Sequence, residues 1–439
     1  MCQWRLAGGI YVTQSGPADP KRSSARHRRS SVGGAWAQSK YKTLYKFRGG
    51  TDGSAPFASL IFDHAGNLYG TTEEGGNLSF CYSGCGVVFK LAPNSDGSWI
   101  ESVIHSFCPT YPYTDGASPG ASLIFDGAGN LYGTAFGGGA HGYGVVFRLS
   151  STQDGRWSEN VLYSFCSLTK CTDGANPNTN LIFDQAGNLY GTATGGGADG
   201  QGVVFQLTPG DSEGGWKEKV LHQFTGSEDG RNPYAGVTFD ETGNLYGTTE
   251  SGGLYDRGTV FQLAPDTGGG WKEKILHHFT GGTDGNNPFA GLIVDGVGNL
   301  YGTTVQGGNH SQCMGIGCGV VFRLTPNPGG SWNEQVLHQF TGGKDGKGPF
   351  AGLVFDQAGN LYSTTEAGGL IRCNGGGCGV VFRLTNNSNG WKETLVHSFV
   401  DDPGAFAFAD VLFDAAGNLY GTTEGDGITT FGSVFEITP

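Results

Sequence analysis

No apolar run in this chain approaches the ~18 residues that a membrane-crossing helix needs, and no segment carries a helix cap followed by a 3.6-residue apolar stripe. Transmembrane spans and helical solenoids are therefore poor candidates. Basic charge is scarce as well. Seven of the 26 Lys and Arg fall within residues 1–40 beside one Asp, so the rest of the chain sets 19 basic against 38 acidic side chains. A body that acidic repels phosphate backbones, which argues against nucleic acid and leaves cations and neutral polar ligands as partners.

What the sequence has in abundance is glycine, 81 of 439 residues, roughly 18% where ~7% is usual. Aromatics at 12% and hydrophobics at 37% nevertheless supply material for a packed core, so neither a disordered nor a collagen-like chain is indicated. Glycine here punctuates many tight turns.

Residues 1–40 match the remainder in neither composition nor pattern. "AWAQ" (35–38) fits the small-x-small rule of an export cleavage site, with the cut after Ala37. The apolar stretch that should precede it is replaced by "GPADPKRSSARHRRSSVGG". The segment reads as an atypical leader, a degraded or misread export signal, ahead of a single domain spanning 41–439.

That domain is a tandem repeat. The anchor D-x-x-G-N-L-Y begins at Asp63, Asp126, Asp184, Asp240, Asp295, Asp356 and Asp414. In "NPFAGLIVDGVGNLYGTTVQGG" (287–308), two short strands flank a Gly-Asn turn, whose residues tolerate positive φ. "GVVFRLTP" gives a third strand, and "WNEQVLHQF" a fourth with period-2 alternation. Four antiparallel strands make a blade, and seven units predict an all-β, seven-bladed β-propeller.

Fourth strands begin at Trp99, Trp157, Trp216, Trp271, Trp332 and Trp391, one short of seven, and the sequence ends on the third-strand pattern "GSVFEITP". "YKTLYKF" (41–47) aligns with the fourth strands and is expected to complete the last blade, removing two free sheet edges. With the first strand of each blade innermost, the D-x-x-G-N hairpins share one face. The length-variable loops share the other, where a ligand is expected.

With these motifs in view, the chain resembles the GloVer-type choice-of-anchor tandem-repeat family of secreted bacterial proteins. Its units run L-I-x-D-x-x-G-N-L-Y-G-T-T-x-x-G-G, G-x-V-F-x-L and W-x-E-x-V-L-H-x-F, and the match spans residues 41–439. The resemblance implies an exported propeller of no established activity and offers no catalytic residue. It also implies a C-terminal sorting or anchoring segment, which is not seen before Pro439.

Several motifs invite a chemical reading. The repeated Asp of the anchor suits a turn, since its carboxylate accepts hydrogen bonds from nearby backbone N–H groups. The "DG" loops at Asp52, Asp115, Asp173, Asp229, Asp284 and Asp345, with "DDPG" at Asp401 and Asp402 in the seventh position, offer one or two carboxylates each. Turn formation is favoured there, with calcium as the alternative and no other cofactor indicated. The His of "VLHxF" (His105, His222, His277, His338, His397) and the Trp opening each fourth strand read as packing residues. Four close cysteine pairs, Cys81/Cys85, Cys166/Cys171, Cys313/Cys318 and Cys373/Cys378, predict local disulfides and an oxidising, extracellular setting. Cys108 is left free or bridged to a distant loop, because Tyr113 stands where its partner would be.

Differences between units are more informative than what they share. Glu73, Glu250, Glu366 and Glu424 follow "TT", whereas other blades place Phe136, Thr194 and Gln306 nearby; Glu73, Glu366 and Glu424 fall in blades one, six and seven, which become neighbours when the ring closes. These acids, with Asp401 and Asp402, are the candidate ligand-binding residues; no catalytic set stands out. The expectation is a secreted, monomeric, non-catalytic module binding carbohydrate or surface polymer. The alternatives are a structural surface protein or, third, a propeller hydrolase or lyase.

Overall fold

A computed structural model describes residues 39–79, 83–210, 215–370, 373, 376–400, 405–425 and 430–438. They form seven four-stranded antiparallel sheets, each a simple meander. No α-helix occurs among them, and none is long and apolar enough to cross a membrane. Within a blade the strands lengthen outward, as in blade one: Ile61–Phe62, Leu68–Thr72, Val87–Pro93 and Trp99–Ser106. This taper lets wedge-shaped blades pack around an axis.

The ring closes as the repeat count requires. Strand Lys40–Lys46 pairs antiparallel with Ser433–Thr438, from Lys40 opposite Thr438 to Lys46 opposite Ser433. It occupies the outer position of the seventh blade, and Ser39 Oγ ties its start to the Val396 carbonyl of blade six at 2.9 Å.

Adjacent blades share their apolar layers. One cluster joins Tyr132 and Val146 of blade two to Phe205 and Leu207 of blade three, and the phenylalanine ending each outer strand meets the third-strand phenylalanine of the next blade edge-on. Phe165 and Phe205 are one such pair, with centroids 5.0 Å apart. Full burial of each ring stabilises by about 2–3 kcal/mol. The second-strand glycine makes room for it: a Cβ on Gly247 would lie 2.5 Å from the tip of Phe261.

Two repeated polar devices complete the frame. In blade one, Asp63 Oδ1 accepts from the Ala65 and Asn67 N–H groups, both at 2.9 Å, while Oδ2 accepts from Asn67 Nδ2 and the Tyr69 hydroxyl. The same closed turn recurs at Asp126, Asp184, Asp240, Asp295, Asp356 and Asp414, so the anchor aspartates serve turns, as expected. The first threonine after the second-strand Gly or Ser bonds to the next blade's inner strand. Thr71 reaches Ala121, Thr248 reaches Ala290 and Thr422 reaches Ala58.

Candidate functional site: the mouth of the central channel

The first strands line the axis, and their entry is set by one residue held at positive φ just before the strand: Ala55, Ser118, Asn176, Asn232, Asn287, Gly348 and Phe406. Asparagine tolerates this conformation well. Asn176, Asn232 and Asn287 also donate Nδ2 hydrogens to the preceding blade's Phe136, Thr194 and Glu250 carbonyls at 3.1–3.2 Å. The side chain two positions later is thereby held in the channel mouth.

Five of these mouth positions are aromatic, and their rings touch in succession around the axis. Tyr234 stacks on Phe289 with centroids 4.5 Å apart. Phe289 meets Phe350 edge-on at 5.3 Å, Phe350 meets Phe408 at 5.3 Å, and Phe408 stacks on Phe57 at 4.5 Å. All five are half-buried. The arc covers blades four to seven and one, and breaks at Gly120 and Asn178 of blades two and three.

One step deeper, two residues along each strand, lies a polar tier. The Gly352 N–H donates to Asp410 Oδ1 (2.5 Å), the Asp410 N–H to Ser59 Oγ (3.0 Å), the Ser59 N–H to Ser122 Oγ (3.0 Å), and the Ser122 N–H to Asn180 Oδ1 (2.9 Å). The relay runs from blade six through seven, one and two to three. Blades four and five place Gly236 and Gly291 at this level. Burial raises the Asp410 carboxyl above the usual range, opposed by its hydrogen bonds to Gly352 and Ser59.

Glu73, Glu366 and Glu424 stand at the top of the second strands, beside the aromatic tier. The Glu73 N–H bonds to the Ala55 carbonyl, that of Glu366 to Gly348 and that of Glu424 to Phe406, each two residues before an arc ring, Phe57, Phe350 and Phe408. Burial first, then the charges of Glu73, Glu366 and Glu74, push Glu424 up to about 8. Burial followed by Glu74 pushes Glu73 up to about 7. Glu424 thus feels the other two acids, burial raises Glu366 against the opposing charge of Lys347, and a fourth acid, Glu250, acts electrostatically on Tyr234. The equivalent residue of blade five is Val305, not its neighbour Gln306. Asp401 and Asp402 lie outside the described residues.

The cysteine pattern needs one correction. Cys166–Cys171, Cys313–Cys318 and Cys373–Cys378 are bridged as expected, but Cys85 pairs with Cys108, 23 residues away, rather than with Cys81. Position 85 lies at the start of the third strand, against the loop leaving the outer strand. In blade five the same loop brings Gly342 within about 3 Å of Cys313 and Cys318 Sγ, measured from a Cβ built on it. Cys108 occupies that loop in blade one and supplies a sulfur there. Cys81 itself lies outside the described residues.

The outer histidines and the "DG" aspartates, treated separately in the sequence, meet at the blade junctions. His105 faces Asp115, His277 faces Asp284 and His338 faces Asp345, each at 3.3–3.4 Å, while Tyr45 and Tyr163 donate to Asp52 and Asp173 where His is replaced. The same aspartates cap the loop backbone, as Asp284 does for the Thr280 N–H at 2.8 Å. The tryptophans pack edge-on against the preceding blade's tyrosine, Trp271 on Tyr190 for example, in the packing role expected of them.

Among curated proteins, none matches the chain. Solved structures that resemble it include an oxidoreductase (glucose dehydrogenase) from Thermus thermophilus, 14% identical, covering 91% of this chain and all of that one, with a TM-score of 0.43. A fungal alcohol oxidase of the AA5 family in complex with copper is 12% identical over 91% of this chain and 76% of that one, with a TM-score of 0.49. A further glucose dehydrogenase is 14% identical over 91% and 99%, with a TM-score of 0.40. The family model described as the Gloeobacter/Verrucomicrobia repeat matches residues 34–182, 83–316 and 272–439. With that model spanning the domain and its motifs accounting for every blade, the chain belongs to the Gloeobacter/Verrucomicrobia repeat family.

Proposed function

We propose that this protein is a secreted, non-catalytic binding module that takes a carbohydrate or surface polymer at the mouth of its central channel. The observation that carries the reading is the aromatic arc Tyr234–Phe289–Phe350–Phe408–Phe57, whose first strands bond at their entry to the backbones of Glu73, Glu366 and Glu424. Sugar rings present apolar C–H faces flanked by hydroxyls. Aromatic faces take the first and carboxyls the second. A carboxyl held near neutrality both donates and accepts, which suits an uncharged polyol better than an anion. The relay from Asp410 to Asn180 adds hydroxyl partners one level down, and where the arc breaks the Asn178 amide lies against Gly120. The four disulfides are compatible with an extracellular setting.

The test is binding of residues 38–439 to a glycan and polysaccharide panel, with and without calcium, repeated with Phe350→Ala and with Glu366→Gln/Glu424→Gln. A saturable hit lost in both variants supports the reading. A folded, disulfide-intact sample that binds nothing would shift the assignment to a structural surface protein, in which the touching rings serve only to close the channel.

A further inference from the structure

We propose that His222, Asp229 and Glu273 form a zinc-binding site that staples blade three to blade four. The three residues come from separate elements: the outer strand Lys217–Gln223, the loop that follows it, and the outer strand Trp271–His278 of the next blade. His222 Nε2 lies 3.6 Å from Asp229 Oδ2 and 3.3 Å from Glu273 Oε1, and one ligating atom from each falls within 4.8 Å of the other two.

The 3.3 Å from His222 Nε2 to Glu273 Oε1 is longer than a charge-assisted hydrogen bond and matches the spacing of two ligands on one ion. A charge-assisted N–H···O contact closes to about 2.7–2.9 Å, whereas two ligands on a tetrahedral ion with bonds of about 2.0–2.1 Å stand roughly 3.3–3.4 Å apart. His222 Nε2 and Glu273 Oε1 are both sealed from solvent with no hydrogen-bond partner, as are the equivalent atoms of the His105, His277 and His338 junctions, a costly condition for polar atoms. The side chains as a whole keep 13–19% of their surface exposed, which gives an ion and a fourth, water ligand a way in.

The donor set selects the metal. One imidazole nitrogen and two carboxylate oxygens fit zinc, while calcium asks for six to eight oxygens. Two carboxylates also balance the charge of a divalent ion. The other junctions supply an internal comparison. Tyr45 and Tyr163 replace the histidine at two of them, Tyr41 stacks on His397 at a third, and His105/Asp115/Glu159, His277/Asp284/Glu334 and His338/Asp345/Glu393 repeat the same residue types without the same convergence. Among the described residues, His222, Asp229 and Glu273 are where all three ligand atoms converge.

The experiment strips the protein with a chelator, restores zinc, and reads bound metal by native mass spectrometry beside the melting temperature. His222→Gln and Glu273→Gln are compared with His338→Gln, which changes a junction outside the site. The expected result is at least one retained zinc per chain that raises the melting temperature. His222→Gln and Glu273→Gln each lose one equivalent, and His338→Gln does not. Should His222→Gln fold poorly, the near-isosteric Glu273→Gln carries the comparison. Failure of the wild-type protein to retain zinc, or equal retention by wild type and folded Glu273→Gln, overturns the proposal.

Discussion

Thr422 of the seventh blade donates its hydroxyl hydrogen to the Ala58 carbonyl of the first, 3.2 Å away across 364 residues of sequence. It is the same bond that Thr248 makes to Ala290 between blades four and five. The closing junction thus uses the clamp of the interior junctions, so Thr422→Val and Thr248→Val should cost similar stability, about 1–3 kcal/mol each, because a buried carbonyl loses its partner. Chemical denaturation of both variants checks this; a much smaller cost at Thr422 would mean that the closing junction is already loose.

The bridge between Cys85 and Cys108 closes a loop of 23 residues, against 5 for the other three. In the chain-entropy account the longer loop stabilises by about 3 kcal/mol and a short one by about 2 kcal/mol. Cys108→Ser should therefore destabilise more than Cys171→Ser. Peptide mapping without reduction should recover Cys85 joined to Cys108, and recovery of Cys81 joined to Cys85 would contradict it.

The mouth acids should make the protein less stable in mild alkali. Glu424 is held at about 8 when folded, against roughly 4.3 in an unfolded chain, so between those values the native state binds more protons and stability falls as pH rises. Glu424→Gln removes the charge that must be buried. The stability read from its melting curve should exceed that of the parent at pH 9 by on the order of 2 kcal/mol, with little difference at pH 4. Parallel melting curves for the two proteins across that range would show that the carboxyl ionises without penalty.

The anchor aspartates act in the opposite direction. Despite the opposing effect of burial, their hydrogen bonds hold Asp63 and its equivalents below the usual carboxylate value. The stability they contribute is present above about pH 4 and is lost as pH falls through the lowered folded values. Asp240→Ala should cost about 2 kcal/mol at pH 7 and less at pH 2, as read by urea denaturation at the two pH values.

The blade count, the strand order and the closure by residues 41–47 were legible in the sequence because each is written in a period: two along a strand, and 55–63 along the chain. Cys85 was mispaired because sequence proximity stood in for spatial proximity, and the loop carrying Cys108 folds back over the third strand. Glu73, Glu366 and Glu424 stand out in the sequence because blades two, three and five place Phe136, Thr194 and Val305 at their position, although Glu250 of blade four shares the acid. The aromatic arc breaks it too, at Gly120 and Asn178, but its members lie in a motif position that looks like ordinary strand filling until neighbouring first strands are seen to converge. His222, Asp229 and Glu273 escaped for a related reason. Each belongs to a different motif, and only the junction between two blades superimposes them.

The antiparallel pairing of Lys40 with Thr438 fixes more than closure. Both residues lie at the edge shared with the D-x-x-G-N hairpins, since each inner strand runs from the channel mouth towards its hairpin and the third strand runs the same way. Whatever is attached to either end of the propeller therefore leaves from the rear of the disc. A tether, a neighbouring domain or a solid support joined there holds the molecule from behind, with the aromatic arc and its acids turned towards the surroundings.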